Sequence, residues 1–145
     1  AQYIVGEFYS HGYGGIKVNN AEALKWYYKA AEQGVAEAQF ILGLDYKRGE
    51  GGVKKDFAKG VEWYRKAAEQ GHMYALYNLA VSYEYGEGVP KDKETAIKLY
   101  QKAAEQGYTE AEKDVKRLEG GGLGTAVAAG AALGGAALLW KILRG

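Results

Sequence analysis

Apolar side chains recur along this chain at intervals of three and four, and the arrangement then starts again about 37 residues later. Ala1, Val5 and Tyr9 are followed by Ala38, Leu42 and Tyr46, and then by Ala75, Leu79 and Tyr83. These offsets place one stripe on one face of a helix. Gly6, Gly43 and Ala80 come directly after the second member of each set and are small enough to admit a second helix at close range. The pattern predicts first helices opening at Ala1, Ala38, Ala75 and Ala111. Glycines at Gly12, Gly49 and Gly86 end the first three, since glycine accepts the positive φ of a helix stop. Second helices are predicted over roughly Ala21 to Gln33, Phe57 to Gln70 and Lys93 to Gln106, with Asn20, Asp56 and Asp92 as caps. Each carries a Trp-Tyr or Leu-Tyr pair (Trp26-Tyr27, Trp63-Tyr64, Leu99-Tyr100) and then an Ala-Ala pair on the same face.

The phrase Lys-Ala-Ala-Glu-Gln-Gly ends all three units, and its glycines, Gly34, Gly71 and Gly107, stand 37 and 36 residues apart. A period of this size marks a solenoid of helical hairpins, in which each unit buries its apolar face against its neighbours. The units run 1–37, 38–74 and 75–110, with 111–124 as a truncated fourth helix and glycine-rich turn and 125–145 as an apolar Gly/Ala-rich helix. The chain resembles the Sel1-like repeat family, a relative of the tetratricopeptide repeat. The resemblance rests on A-x-x-x-L-G-x-x-Y-x-x-G-x-G over Ala38 to Gly51 and W-Y-x-K-A-A-E-Q-G over Trp63 to Gly71, and it covers residues 1 to about 110. It implies an all-α, right-handed α/α solenoid that works by protein–protein contact and carries no catalytic site.

The fourth unit departs from the pattern. Ala111 and Val115 keep their places, but Lys116 stands where a small residue belongs and Glu119 where the tyrosine belongs. Gly122-Leu123-Gly124 falls where Gly12-Tyr13-Gly14 fell, which makes the following segment a modified repeat helix. No charge occurs from Leu123 to Trp140, and Lys141 and Arg144 then follow. Gly122, Ala126, Gly130, Gly134 and Leu138 recur every four residues, a stripe suited to close helix packing, with Trp140 at its polar edge. Three readings stand side by side. The segment caps its own solenoid, crosses a membrane through residues 123–143, or packs between copies of the chain. An amphipathic cap would show a polar face, which this segment lacks. A span of about 20 residues could cross a bilayer, with the two basic residues on the cytoplasmic side. Unit one has no polar capping helix before it, so an open leading face and an apolar trailing helix can meet head to tail. On this reading the protein is structural and self-assembling, a homo-oligomer, filament or tube in the extracellular space or cell envelope. The alternative is a membrane-anchored adaptor that binds another protein.

Composition narrows the remaining classes. A net charge of +1 argues against a nucleic-acid partner, which requires clustered Lys and Arg. The chain has no cysteine, and its two histidines, His11 and His72, make a poor metal set, so no cofactor is expected. The nucleophile candidates are Ser10 and Ser82, and Ser10 beside His11 in sequence is not the geometry of a catalytic pair. The only methionine is Met73, so Ala1 is either a processed end after a signal peptide or the product of initiator removal or trimming. Tyr3, Phe40 and Tyr77 share the third position of each first helix. They either line a partner-binding surface or add to the core.

Overall fold

A computed structural model describes residues 2–15 and 17–120, and every described element is helical. Seven α-helices follow one another: α1 (Gln2–His11), α2 (Asn20–Glu32), α3 (Ala36–Arg48), α4 (Phe57–Glu69), α5 (Met73–Tyr85), α6 (Lys93–Glu105) and α7 (Thr109–Leu118). A 3-10 turn at Tyr13–Gly15 follows α1. Helices pack on their neighbours in the chain, α1 on α2, α2 on α3 and so on to α7. This is the sequential packing of a solenoid. The assembly residues Gly122, Ala126, Gly130, Gly134, Leu138 and Trp140, and the segment 123–143, lie outside the described residues.

The recurring Lys-Ala-Ala-Glu-Gln-Gly phrase closes each second helix as a Schellman turn. The Gly34 N–H donates to Ala31 O at 3.0 Å, and the Val35 N–H to Ala30 O at 3.1 Å. His72 and Tyr108 repeat the outer bond, to Ala67 O at 3.1 Å and Ala103 O at 3.3 Å. Gly34, Gly71 and Gly107 all have positive φ (94°, 81° and 96°), which glycine adopts without strain. The next first helix begins almost at once. α3, α5 and α7 therefore start two residues before the expected Ala38, Ala75 and Ala111, because the turn is complete at Val35, His72 and Tyr108.

The caps of the second helices also have a tertiary partner. Asp56 and Asp92 cap as expected, but in unit one the cap is Asn19, not Asn20. The Asn19 side chain accepts the Glu22 N–H at 3.1 Å. Its own N–H donates to Tyr9 O at 2.8 Å, as Asp56 does to Tyr46 O and Asp92 to Tyr83 O, also at 2.8 Å. Strict repeat register selects Asn19, whereas local composition alone does not separate the two asparagines.

Alanine and tyrosine make up most of the core, with Leu42, Val61, Leu76, Leu79 and Val115 among them. Ala30, Ala38, Ala67, Ala75, Ala103 and Ala111 are fully buried where each second helix meets the next first helix. Tyr27, Tyr64 and Tyr100 fill the space within each hairpin. In unit two a Cβ on Gly43 would lie 2.5 Å from the Tyr64 ring, and one on Gly60 would lie 3.0 Å from Gly43 O. Unit three holds alanine at both corresponding positions, Ala80 and Ala96, each fully buried. The two hairpins thus use different small residues at the same crossing. Gly43→Ala is expected to destabilise the fold by about 1–3 kcal/mol through overpacking against Tyr64. Urea unfolding followed by circular dichroism checks this, and an unchanged midpoint would show that the crossing can relax.

Candidate functional site

The three first-helix aromatics sit partly buried, each against the tyrosine of its own hairpin. Ring centroids are 5.9 Å apart for Tyr3–Tyr27, 6.0 Å for Phe40–Tyr64 and 5.2 Å for Tyr77–Tyr100. Phe40 also stacks on His72 at 4.9 Å, and Tyr77 meets Tyr108 edge-on at 4.8 Å. Tyr74 bridges these groups, lying 6.1 Å from Phe40 and 5.4 Å from Tyr108, and it is 48% exposed. The structure therefore joins Phe40 and Tyr77 into one aromatic face through His72, Tyr74 and Tyr108. Tyr3 packs at the far end of the array, on Tyr27. Each of the three rings is partly buried, and Tyr74 beside Phe40 is exposed.

His72 has a structural duty that its sequence neighbours do not signal. Its Nδ1 accepts the Ala75 N–H at 3.2 Å, so it caps α5, and burial holds its pKa below the usual histidine range. His11 sits on the last turn of α1, with Nδ1 3.3 Å from Glu7 O and 3.9 Å from the Glu7 carboxylate. Among the described residues no group of three His, Asp or Glu is placed to hold a metal ion.

The two ends of the described solenoid differ. At the trailing end, Glu84 is only 7% exposed and accepts a bidentate contact from Arg117 at 2.6 and 3.0 Å. The Tyr100 hydroxyl donates to it at 2.7 Å. Arg117 also donates to Asp114 at 2.8 Å, and Tyr77 donates to Asp114 at 2.7 Å. The network ties α7 down while its outer face stays polar. Lys116 is exposed at the place held by Gly6, Gly43 and Ala80, so α7 lacks the small seat on which each earlier hairpin closes. At the leading end α1 presents Ile4, 51% exposed, and Phe8, 41% exposed. The counterpart of Ile4 in unit two, Ile41, packs against the core of unit one.

Between units one and two lies a cleft of about 560 Å³, lined by Leu24, Tyr27 and Ile41 together with Glu7, Asp45 and Glu50. Glu7 accepts the hydroxyls of Tyr3 and Tyr27. Burial, reinforced by the nearby Glu50 charge, pushes the Asp45 carboxyl up to about 6.

The Sel1 repeat family model matches residues 1–35, 36–72 and 74–108. The chain belongs to the Sel1 repeat family. Sel1 repeats generally mediate protein–protein interaction, and proteins built from them are typically non-enzymatic scaffolds. The chain is similar to a protective antigen of uropathogenic Escherichia coli strains that displays an SLR fold, at 40% identity and TM-score 0.74 over 78% of this chain. It spans only 24% of that protein. A Sel1 repeat protein of Oxalobacter formigenes is equally similar, at 40% identity and TM-score 0.74, over 79% of this chain and 84% of that one. Helicobacter pylori cysteine rich protein B follows at 26% identity and TM-score 0.64, over 75% of this chain and 83% of that one. A comparison with curated proteins finds no match. The Sel1 units as matched begin close to the helix starts at Ala36 and Met73.

Two outcomes follow for the charged groups. Arg117→Ala leaves Glu84 buried without its cation and is expected to cost about 2 kcal/mol at pH 7, less than a fully buried pair because Arg117 is half exposed. Arg117 and Tyr100 hold the Glu84 pKa below its usual value, so its contribution is present above about pH 4.5 and fades as pH falls through the lowered value. Urea titrations at pH 7 and pH 3 should therefore show the variant's deficit shrinking in acid. Asp45 runs the other way. Its raised pKa means that ionisation costs stability, so the deficit is absent below about pH 4 and full once pH has risen past about 6. Asp45→Asn is expected to stabilise the protein at pH 7.5, by on the order of 1 kcal/mol after solvent screening, and to change little at pH 4. Thermal melts at the two pH values measure the difference.

Proposed function

We propose that this Sel1 protein is a structural scaffold whose copies associate head to tail, the segment 123–140 of one copy covering the leading face of α1 in the next. The observation that carries this reading is Ile4, 51% exposed on α1, while its unit-two counterpart Ile41 is covered by the preceding hairpin. A repeat array buries apolar surface by stacking, and the exposed Ile4 and Phe8 on α1 suit that kind of contact. The polar outer face of α7 directs the contact to the uncharged segment beyond it rather than to α7 itself. The Gly122, Ala126, Gly130, Gly134 and Leu138 stripe, with Trp140, supplies a surface for close packing. Assembly outside the cytoplasm, in the extracellular space or cell envelope, is supported by the similarity to a bacterial protective antigen. The aromatic face around Tyr74, with Phe40 and Tyr77 beneath it, is a second surface for another protein.

Electron microscopy of the full chain in detergent-free buffer tests the proposal. Regular rings, tubes or filaments are expected. Ile4→Lys, and separately Gly130→Leu with Gly134→Leu, should abolish them and leave dispersed particles. Wild-type particles that stay dispersed, or shapeless aggregate cured by detergent, would overturn self-assembly. The latter outcome would favour the membrane-anchored adaptor through 123–143, in which the glycine changes leave the tether intact.

A further inference from the structure

The cleft between units one and two holds a partly buried carboxylate, Asp45, on which burial and the Glu50 charge outweigh the opposing charge of Arg48. The neighbouring acids are engaged differently. Glu7 is held by two tyrosine hydroxyls and lies 3.9 Å from His11, and Glu50 lies 3.9 Å from Arg48. Asp45 instead sits tight over the loop. A Cβ on Gly51 would meet its carboxylate oxygen at 2.6 Å, so the loop backbone and the carboxylate share one small space. The corresponding positions in the other two units are Phe8 and Ser82, so the charge is particular to this cleft and not a feature of the repeat. A partly buried carboxylate whose desolvation outweighs the nearby Arg48 charge lowers folding stability, and such costs are characteristic of sites that bind something.

The chain contains a segment of matching chemistry. Beyond Gly120 there is no acidic residue, and Lys141 and Arg144 give that stretch a charge of +2 in a chain whose net charge is +1. Residues 1–120 are therefore net acidic, by one charge. Leu138, Leu139, Ile142 and Leu143 flank the two basic residues. The cleft offers the complement, with apolar walls from Leu24, Tyr27 and Ile41 and carboxylates at Asp45 and Glu50. Its length outside the described residues also suits the role, since 17 residues separate Gly120 from Leu138 and can bridge to an adjacent subunit. The cleft lies in the leading repeats and this segment follows the trailing one, so head-to-tail stacking brings the two together between copies.

We infer that the cleft between the first two Sel1 repeats receives residues 138–145 of a second copy of the chain, with Lys141 and Arg144 against Asp45 and Glu50. This rests on the head-to-tail reading above and adds the contact that gives it direction. Charge pairing orients the two ends and rejects tail-to-tail contact, a role electrostatic complementarity fills at interfaces.

The absence of native cysteine makes a cross-linking test clean. Two full-length variants are mixed and oxidised, one carrying only Asn20→Cys in the cleft lining and the other only Ile142→Cys. A mixed disulfide dimer several-fold more abundant than either symmetric dimer is expected. A single chain carrying both cysteines that closes its disulfide internally, even at high dilution, would assign the cleft to its own segment and overturn the second-copy inference. Sedimentation then supplies the energetics. Asp45→Asn with Glu50→Gln, and separately Lys141→Gln with Arg144→Gln, should each weaken self-association about tenfold, and combining all four should add little. Wild-type assembly that neither pair weakens would overturn the cleft contact and leave self-assembly standing. A wild-type chain that does not self-associate would overturn both.

Discussion

At the end of each second helix the backbone turns left-handed at a glycine, and the pitch of the solenoid follows from that turn. Two alanine carbonyls receive the N–H groups of the glycine and the residue after it, so the next helix starts without slack. The preceding glutamine then links units. Gln70 donates to Gly34 O at 2.8 Å and Gln106 to Gly71 O at 2.7 Å. Gly34 and Gly71 thus each terminate one hairpin and also accept the contact that ties in the next. A side chain on any of these glycines would face a positive φ, strained for every L residue, and would spoil both functions at once.

That turn sets helices close together, with alanines at the tightest contacts and tyrosine, leucine and valine filling the rest. The core consequently has no single centre. It divides into clusters around Tyr27, Tyr64 and Tyr100, each built by two or three consecutive helices. Tyrosine suits this arrangement because its ring fills the hairpin while its hydroxyl reaches the polar edge. Tyr27 finds Glu7 and Tyr100 finds Glu84, whereas the buried Tyr64 hydroxyl has no hydrogen-bond partner among the described residues. Unit two therefore carries an unsatisfied polar group at the place where its glycine crossing is tightest. Next to it, on the face toward unit one, stands the partly buried Asp45.

A core made of nearest-neighbour contacts leaves the two ends of the described solenoid chemically distinct. The trailing end is finished by charge, with Arg117, Asp114 and Glu84 tying a polar helix in place. The leading end shows apolar side chains on α1 and opens onto an acidic cleft one helix further in. An array with unlike ends has a direction, and the proposed assembly follows from that asymmetry rather than from any one strong patch.

The sequence by itself determined the repeat and its helices. Spacings of three and four fixed which faces were apolar, and the glycine of each Lys-Ala-Ala-Glu-Gln-Gly phrase marked where a helix had to stop, because both are local properties of the backbone. It also exposed the odd members of the series, Lys116 and Glu119, by comparison with their counterparts. Tertiary structure decided what depended on contact between units. It placed the first cap at Asn19, because the Asn19 N–H meets the Tyr9 carbonyl, and it made His72 a cap. It joined Phe40 to Tyr77 through Tyr74 and Tyr108, which lie in neighbouring turns of the solenoid. It placed Asp45 in a cleft that forms only when two hairpins stack, and no pattern along one chain could reveal that burial there outweighs the nearby Arg48 charge.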